Sequence, residues 1–284
     1  VPQPYASARS KSPALTGAPR VLLISQHYWP ESFRINEVAR SLAEAGGRVT
    51  ILTGKPNYPD GYVFAGYRAW GLQRETHQGL EVVRVPLIPR GRGRAIGLTL
   101  NYLSFIASSS LLGPWSLRGR AFDVIFVYGT SPILQAIAGT WFKRLKKAPL
   151  IVWVQDLWPD SLAITGFVTR PSLLAGVASV VRWIYRRSDL LLVQSRAFLA
   201  PVQALAGGTP VAYQPNPGER EAGLATSSGG PALRLGQGFN IVFAGNLGSV
   251  QALDTVLDAA ELLGAEAGIR WVIIGSGTRL AWLR

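Results

Sequence analysis

The sequence predicts an α/β protein organised around a parallel sheet, and three observations carry the prediction. Short, unbroken apolar runs recur at residues 21–24, 49–52, 82–85, 124–127, 150–154 and 190–193. Unbroken rather than alternating hydrophobicity marks strands buried on both faces. Between these runs lie stretches with apolar residues at helical spacing, and glycine or proline separates one kind from the other. Strands alternating with helices build a parallel sheet with helices on both faces.

Each element follows in order. Residues 1–19 are rich in Pro, Ser and Ala without an apolar core and read as a disordered leader, not a signal peptide. Residues 20–208 form the first domain. Its first strand leads into a helix over residues 31–45, with Ile35, Val38, Ala39, Leu42 and Ala45 on one face. Gly46 and Gly47 stop that helix. Further helices are expected over residues 132–146, 171–186 and 196–206. Residues 209–238, dense in Gly, Pro and Ser, read as a linker. Residues 239–284 hold a strand (241–244), the turn Gly245-Asn246-Leu247-Gly248, a helix (249–263), a strand (271–274) and the pair Gly275 and Gly277. A doubly wound domain needs about five strands, so this second unit is expected to be partial.

Composition narrows the function. A chain of 284 residues, 48% hydrophobic and 16% charged, buries enough apolar surface for two domains. With no cysteine, disulfides, thiolate metal sites and cysteine nucleophiles are excluded, which suits a reducing compartment. Two histidines and no D-x-D pair leave no metal site to propose. The net charge of +13 favours polyanions. Nucleic acid is the lesser choice among them, because no recognition helix, zinc finger or RNP-type strand accompanies the charge.

The strongest local signal is Gln155-Asp156-Leu157-Trp158-Pro159-Asp160-Ser161, directly after the predicted strand 150–154. Ligands bind at the carboxyl ends of strands in open α/β sheets. A plain reversal would use Gly, Asn or Ser, not a tryptophan between two acids. Asp156, Trp158 and Asp160 are therefore candidate wall residues, although Asp160 could equally cap the following segment. The first βα loop offers His27, Tyr28, Trp29 and Glu31 but no glycine. That absence argues against a dinucleotide-binding oxidoreductase, and the aromatics suit either the ring of a sugar or isoprenoid acceptor or a core-plugging turn in which His27 is merely satisfied. Gly245, Asn246 and Gly248 join a strand to a helix, where backbone N–H groups attract phosphate; Gly275 and Gly277 repeat the pattern.

Residues 95–117 carry no charge and are flanked by Arg90, Arg92, Arg94, Arg118 and Arg120. Asn101, Thr99, several serines and Pro114 argue against a membrane span. A buried helix and an interfacial helix held by arginines at anionic headgroups both fit, on different faces. The basic clusters at 143–147 and 182–187 close predicted helices, where positive charge complements the helix dipole.

At these motifs the chain resembles a family 4 glycosyltransferase of the GT-B type, from the bacterial surface-polysaccharide branch. The resemblance runs through His27-Tyr28-Trp29-Pro30-Glu31, Thr53-Gly54-Lys55-Pro56-Asn57-Tyr58-Pro59-Asp60-Gly61, the Trp158-Pro159 segment, Gln214-Pro215-Asn216-Pro217 and Gly245–Gly248 with Gln251. It implies two Rossmann-like domains and retaining transfer of a sugar from a nucleotide diphosphate sugar. The acceptor it implies is a lipid-linked sugar on polyprenyl diphosphate, or a polysaccharide. The setting would be the cytoplasmic side of the membrane, with peripheral attachment to its anionic inner face. Donor contacts would come from Gly245, Asn246, Gly248, Gln251, Gly275 and Gly277. His27 and Asp156 would take the catalytic positions, with Tyr28, Trp29, Glu31, Asn57, Trp158 and Asp160 around the acceptor; no metal or cofactor is implied. Asn246 and Gln251 stand where many members carry an arginine and a lysine. The glutamate pair that members place deeper in the second domain is not reached by residue 284. The chain as given is thus expected to be inactive alone, and the alternative is a fragment serving as a membrane- or partner-binding module.

Overall fold

A computed structural model describes residues 17–91, 95–164, 166, 168–218, 235, 238–248, 251–264, 268–277 and 279–283. Most of the expected leader, Arg92, Arg94, Val250 and most of the expected linker lie outside the described residues. The chain divides into two compact units, Val1–Pro159 with Pro171–Glu219, and Asp160–Arg170 with Arg220–Arg284.

The larger unit holds one eight-stranded sheet in the order β3-β4-β2-β1-β5-β6-β7-β8. Its strands are β1 (Arg20–Ile24), β2 (Arg48–Thr53), β3 (Gln73–His77), β4 (Leu80–Arg84), β5 (Val124–Gly129), β6 (Leu150–Val154), β7 (Leu190–Val193) and β8 (Val211–Tyr213). All pairings are parallel except β3 with β4, which form an antiparallel hairpin at one edge. The apolar runs predicted six of these strands. The polar β3 and the three-residue β8 escaped, because edge strands need little hydrophobicity. β8 also corrects the linker boundary, since its pairing with β7 extends the first unit past residue 208.

The chain leaves β1 in one direction for β2 and β4, and later returns to β5 on the other side. The carboxyl ends of β1, β5 and β6 therefore flank the topological switch point. One face of the sheet packs Leu23, Ile51, Val82, Phe126 and Trp153 against Ile35, Val38 and Ala39 of α1 (Ile35–Glu44). The predicted helix 31–45 begins late because Glu31 is used in the loop. The opposite face carries α2 (Ala95–Ser116) and α3 (Ala136–Lys146). Close approach there requires glycine. A Cβ on Gly139 would meet Val127 at 2.6 Å, and one on Gly113 would meet Leu52 at 3.0 Å and Phe142 at 3.1 Å. α5 (Pro171–Tyr185) and α6 (Leu199–Ala206) complete the unit's helices.

α2 buries one narrow stripe at four-residue spacing, Asn101, Phe105, Ser109 and Gly113, and exposes Ile96, Leu100, Leu103, Leu111 and Trp115. By length and composition it is apolar enough to cross a membrane, with mean hydropathy 1.3 over Ile96–Ser116. One face of this helix packs on the protein, and the other exposes apolar side chains.

The second unit contains β9 (Phe239–Ala244) and β10 (Ile269–Ile274) in parallel, α7 (Leu253–Leu263), the short α8 (Leu280–Leu283) and α4 (Asp160–Ile164). Phe239, Val242, Leu262 and Ile274 are exposed on it. This is the βαβ unit that the sequence predicted.

The β3–β4 hairpin is held by a buried cation. Arg84 is fully buried; its Nε donates to Glu75 Oε1 at 2.6 Å, Nη1 donates to the Gly54 carbonyl at 3.1 Å, and Nη2 reaches the Trp29 carbonyl. Arg84→Met would strand three acceptors. The expected cost is about 3–5 kcal/mol, the range for breaking a buried ion pair. Denaturant unfolding measures it, and a loss below about 1 kcal/mol would show that the network contributes little.

Candidate functional site

The site is assembled from loops at the carboxyl ends of the central strands. In the β1–α1 loop, His27 is almost wholly buried and its Nδ1 lies 2.8 Å from Glu31 Oε2. A carboxylate at Nδ1 holds the proton there, leaving Nε2 as the acceptor nitrogen. The other Glu31 oxygen accepts the backbone N–H groups of Asn57 and Tyr58 at 2.8 and 2.7 Å. Phe33 stacks on the His27 ring at 4.7 Å, and Tyr58 meets it edge-on at 5.9 Å.

A second layer of amides lies beneath. Gln26 Nε2 donates to Asn101 Oδ1 at 2.7 Å, and Asn101 Nδ2 donates to the Ile88 carbonyl at 2.7 Å and to Asn57 Oδ1 at 3.3 Å. Gln135 Oε1 accepts the Gln26 N–H at 2.8 Å. These bonds tie the loops after β1 and β2 to α2 and to the turn before α3.

Asp156 follows β6 by one loop. Ser131, in the loop after β5, donates to its carboxylate from both backbone and hydroxyl, and the Trp158 indole N–H donates to the Ser131 hydroxyl oxygen at 2.9 Å. Burial raises the Asp156 carboxyl above its ordinary value, with the two Ser131 bonds opposing it. Tyr102, from α2, connects this corner to the other. Its phenol is raised by burial, and it senses the charges of Arg90 and Asp156 as well as Tyr58. The Arg90 guanidinium lies over the Tyr58 ring at 5.0 Å. A run of side chains thus leads from His27 through Tyr58 to Arg90.

Several expected acceptor contacts need correcting. Tyr28 is 1% exposed and belongs to the α1-side core, and Asn57 is fully buried with its amide on the Lys55 carbonyl. Both carboxylate oxygens of Glu31 are taken by its own chain, and Trp158 is buried against Ser131. These four residues, like His27, are buried and engaged by their own chain in this structure. Trp29 keeps part of its surface open and stacks on His77 at 4.0 Å. Asp160 is exposed and begins α4, the place where a carboxylate suits the helix dipole. Sequence reasoning did not name Ser131 or Tyr102, and it named Arg90 only as a flank of the uncharged run 95–117. Ser131 was visible as Ser-Pro beyond a strand end, but Tyr102 lies in an uncharged helix with no local signal.

In the second unit, the loops carrying Gly245–Gly248 and Gly275–Gly277 lie side by side. The Leu247 N–H donates to the Ser276 carbonyl at 2.8 Å, and the Gly245 N–H donates to the Ile274 carbonyl at 2.9 Å. A Cβ on Gly275 would stand 1.8 Å from the Gly245 carbonyl oxygen, so glycine is demanded by backbone packing. Gln251 Oε1 accepts the Gly248 N–H at 3.1 Å and lies 3.5 Å from the Asn246 amide nitrogen. It occupies the donor that a phosphate oxygen would use. α7 starts at Leu253, so the glycines do not open directly onto a helix.

Comparison with known proteins gives a consistent picture. A glycosyl transferase 4-like domain model matches residues 32–217. The colanic acid biosynthesis glycosyl transferase WcaI of Escherichia coli K12 is 25% identical over 278 residues, covering 91% of this chain and 66% of the relative. Among solved structures, the E. coli trehalose-6-phosphate protein bound with UDP-2-fluoro glucose superposes with a TM-score of 0.61 at 13% identity, over 92% of this chain and 65% of that one. The catalytic domain of starch synthase IV from Arabidopsis thaliana, bound to ADP and acarbose, gives 0.57 at 12% identity, over 93% and 69%. The fold is that of GT-B glycosyltransferases. The chain spans just under two thirds of its E. coli relative.

The raised Asp156 carboxyl makes a testable statement about stability. The native state holds this proton more tightly than the unfolded chain, so the contribution is fully present below the unfolded value near 3.8 and lost as pH rises through the folded value. Asp156→Asn removes that loss. At about pH 7 the variant should melt at or above the parent's temperature, with its advantage shrinking toward about pH 4. A variant clearly less stable at neutral pH would make Asp156 a structural residue.

Proposed function

We propose that this chain, which belongs to the glycosyl transferase 4-like family, moves a sugar from a nucleotide diphosphate sugar to a lipid-linked or polysaccharide acceptor in cell-surface polysaccharide assembly. The observation that carries the reading is Asp156, a half-buried carboxylate kept at a strand's carboxyl end although burial penalises its charge. Sites that sacrifice stability in this way are where substrates are handled. The likeness to a colanic acid transferase supports the choice of a polysaccharide acceptor. Nucleotide ligands in the similar structures support a nucleotide diphosphate sugar as donor.

In this reading Asp156 and His27 Nε2 accept hydrogen bonds from acceptor hydroxyls and orient them. Glu31 and Ser131 keep those two acceptors aimed. On the donor unit, the Gly248 N–H and the Asn246 amide meet the diphosphate after Gln251 gives way, at the cost of about one hydrogen bond. Oriented N–H groups stabilise the charge on a departing nucleotide diphosphate. Transfer proceeds with retention of configuration.

The reading includes the membrane. α2 presents Leu100, Leu103, Leu111 and Trp115, α3 presents Trp141 and Leu145, and α5 presents Leu173 and Trp183. Cations border them, with Arg118 over the Trp115 ring at 5.4 Å and Arg187 over the Trp183 ring at 4.4 Å. Aromatics and aliphatics rimmed by arginine suit an anionic bilayer surface. We assign the protein to the inner face of the cytoplasmic membrane on that basis.

The test is release of nucleoside diphosphate from UDP-, GDP- and ADP-sugars in the presence of lipid extract. Parent protein should turn over one of them. Asp156→Asn should lose about a hundredfold, the scale of misplacing a reacting group. Gly248→Val would bring a Cβ within 2.7 Å of Gln251 Oε1 and should weaken nucleotide binding measured by titration. Undiminished turnover in Asp156→Asn would contradict the assignment.

A further inference from the structure

Arg90 is a cation that the reading above does not use. Among the described residues no carboxylate pairs with it, and its Nε is buried without a hydrogen-bond partner. The charge is not absorbed by Asp156 either, whose shift comes from burial and Ser131. A buried guanidinium N–H left unmatched calls for an acceptor, and the planar fork suits phosphate best.

Its position is fixed from several sides. The Arg90 N–H donates to Asn57 Oδ1 at 3.4 Å, and the Gly91 N–H donates to the Gly61 carbonyl at 2.9 Å. Gly97, near the start of α2, lies so close that a Cβ would stand 2.4 Å from the Arg90 carbonyl oxygen. Arg90 therefore sits where the loop after β2 meets the first turns of α2. On one side, Tyr102 senses both Arg90 and Asp156. On the other, α2 exposes Ile96 and Leu100.

A guanidinium with an unmatched N–H thus lies beside an apolar helix face. A phosphate joined to a hydrocarbon chain has the same two parts side by side. We infer that Arg90, with Tyr58 and Tyr102 beside it, forms a subsite for the phosphate or diphosphate of a lipid-linked acceptor, with the hydrocarbon running along the first turns of α2. The inference rests on the proposed acceptor class and adds the residue that recognises its charge. Tyr58 stacks under the guanidinium and keeps it flat.

Farnesyl diphosphate and farnesol are the probes, titrated against the full chain by tryptophan fluorescence. Arg90→Ala should weaken farnesyl diphosphate about tenfold or more, as expected for loss of a charge-assisted bond, and leave farnesol unchanged. Arg90→Lys, which keeps the charge and loses the fork, should fall between. Arg48→Ala, at an exposed position on β2, should match the parent. The subsite is overturned if Arg90→Ala binds farnesyl diphosphate as the parent does with an unchanged melting curve. It is equally overturned if farnesol binding falls in step, or if the parent binds no farnesyl diphosphate. Such a failure is distinguishable from failure of the transferase reading, because farnesyl diphosphate binding is read with no donor sugar present, whereas the transferase reading is tested by nucleoside diphosphate release.

Discussion

The Glu31 carboxylate joins two loops of the chain, and the candidate site depends on that junction. One oxygen fixes the His27 ring; the other takes the N–H groups of Asn57 and Tyr58. Loops after neighbouring parallel strands would otherwise be free to move apart, since nothing in the sheet ladder constrains them beyond the last paired residues. Three bonds to one buried carboxylate convert two loops into a single wall. Hydrogen bonds to a charged acceptor are stronger than neutral ones, so the two loops are held firmly together.

The Gln26–Asn101–Asn57 amides extend the same logic to α2. Asn101 sits in the buried stripe of a helix whose other face is apolar and bare. An apolar helix with one exposed face is thereby bonded to the loops after β1 and β2.

Much of this was legible in the sequence, and the gaps have physical reasons. Buried parallel strands announce themselves as apolar runs, so β1, β2, β4, β5, β6 and β7 were visible. β3 and β8 are edge strands and carry no such signal. The Trp158-Pro159 corner and the His27 loop stood out because they break the rules of ordinary turns. What each residue does there was not legible. Glu31, Asn57 and Tyr28 look like ligand contacts by type, yet the fold spends them on its own backbone and core. Arg90 is brought over Tyr58 by the chain between β4 and α2, a contact that no local pattern encodes. In the second unit the glycines were read for phosphate, whereas the structure first requires Gly275 for the approach of two backbones.

Hydrogen exchange on the parent and Glu31→Ala tests most directly whether one carboxylate builds the acceptor wall. The account predicts that the Asn57 and Tyr58 amides, protected in the parent, exchange rapidly in the variant, while the amides of β1 and β2 keep their protection. Unchanged protection at Asn57 and Tyr58 would contradict it, because the loops would then hold their shape without Glu31.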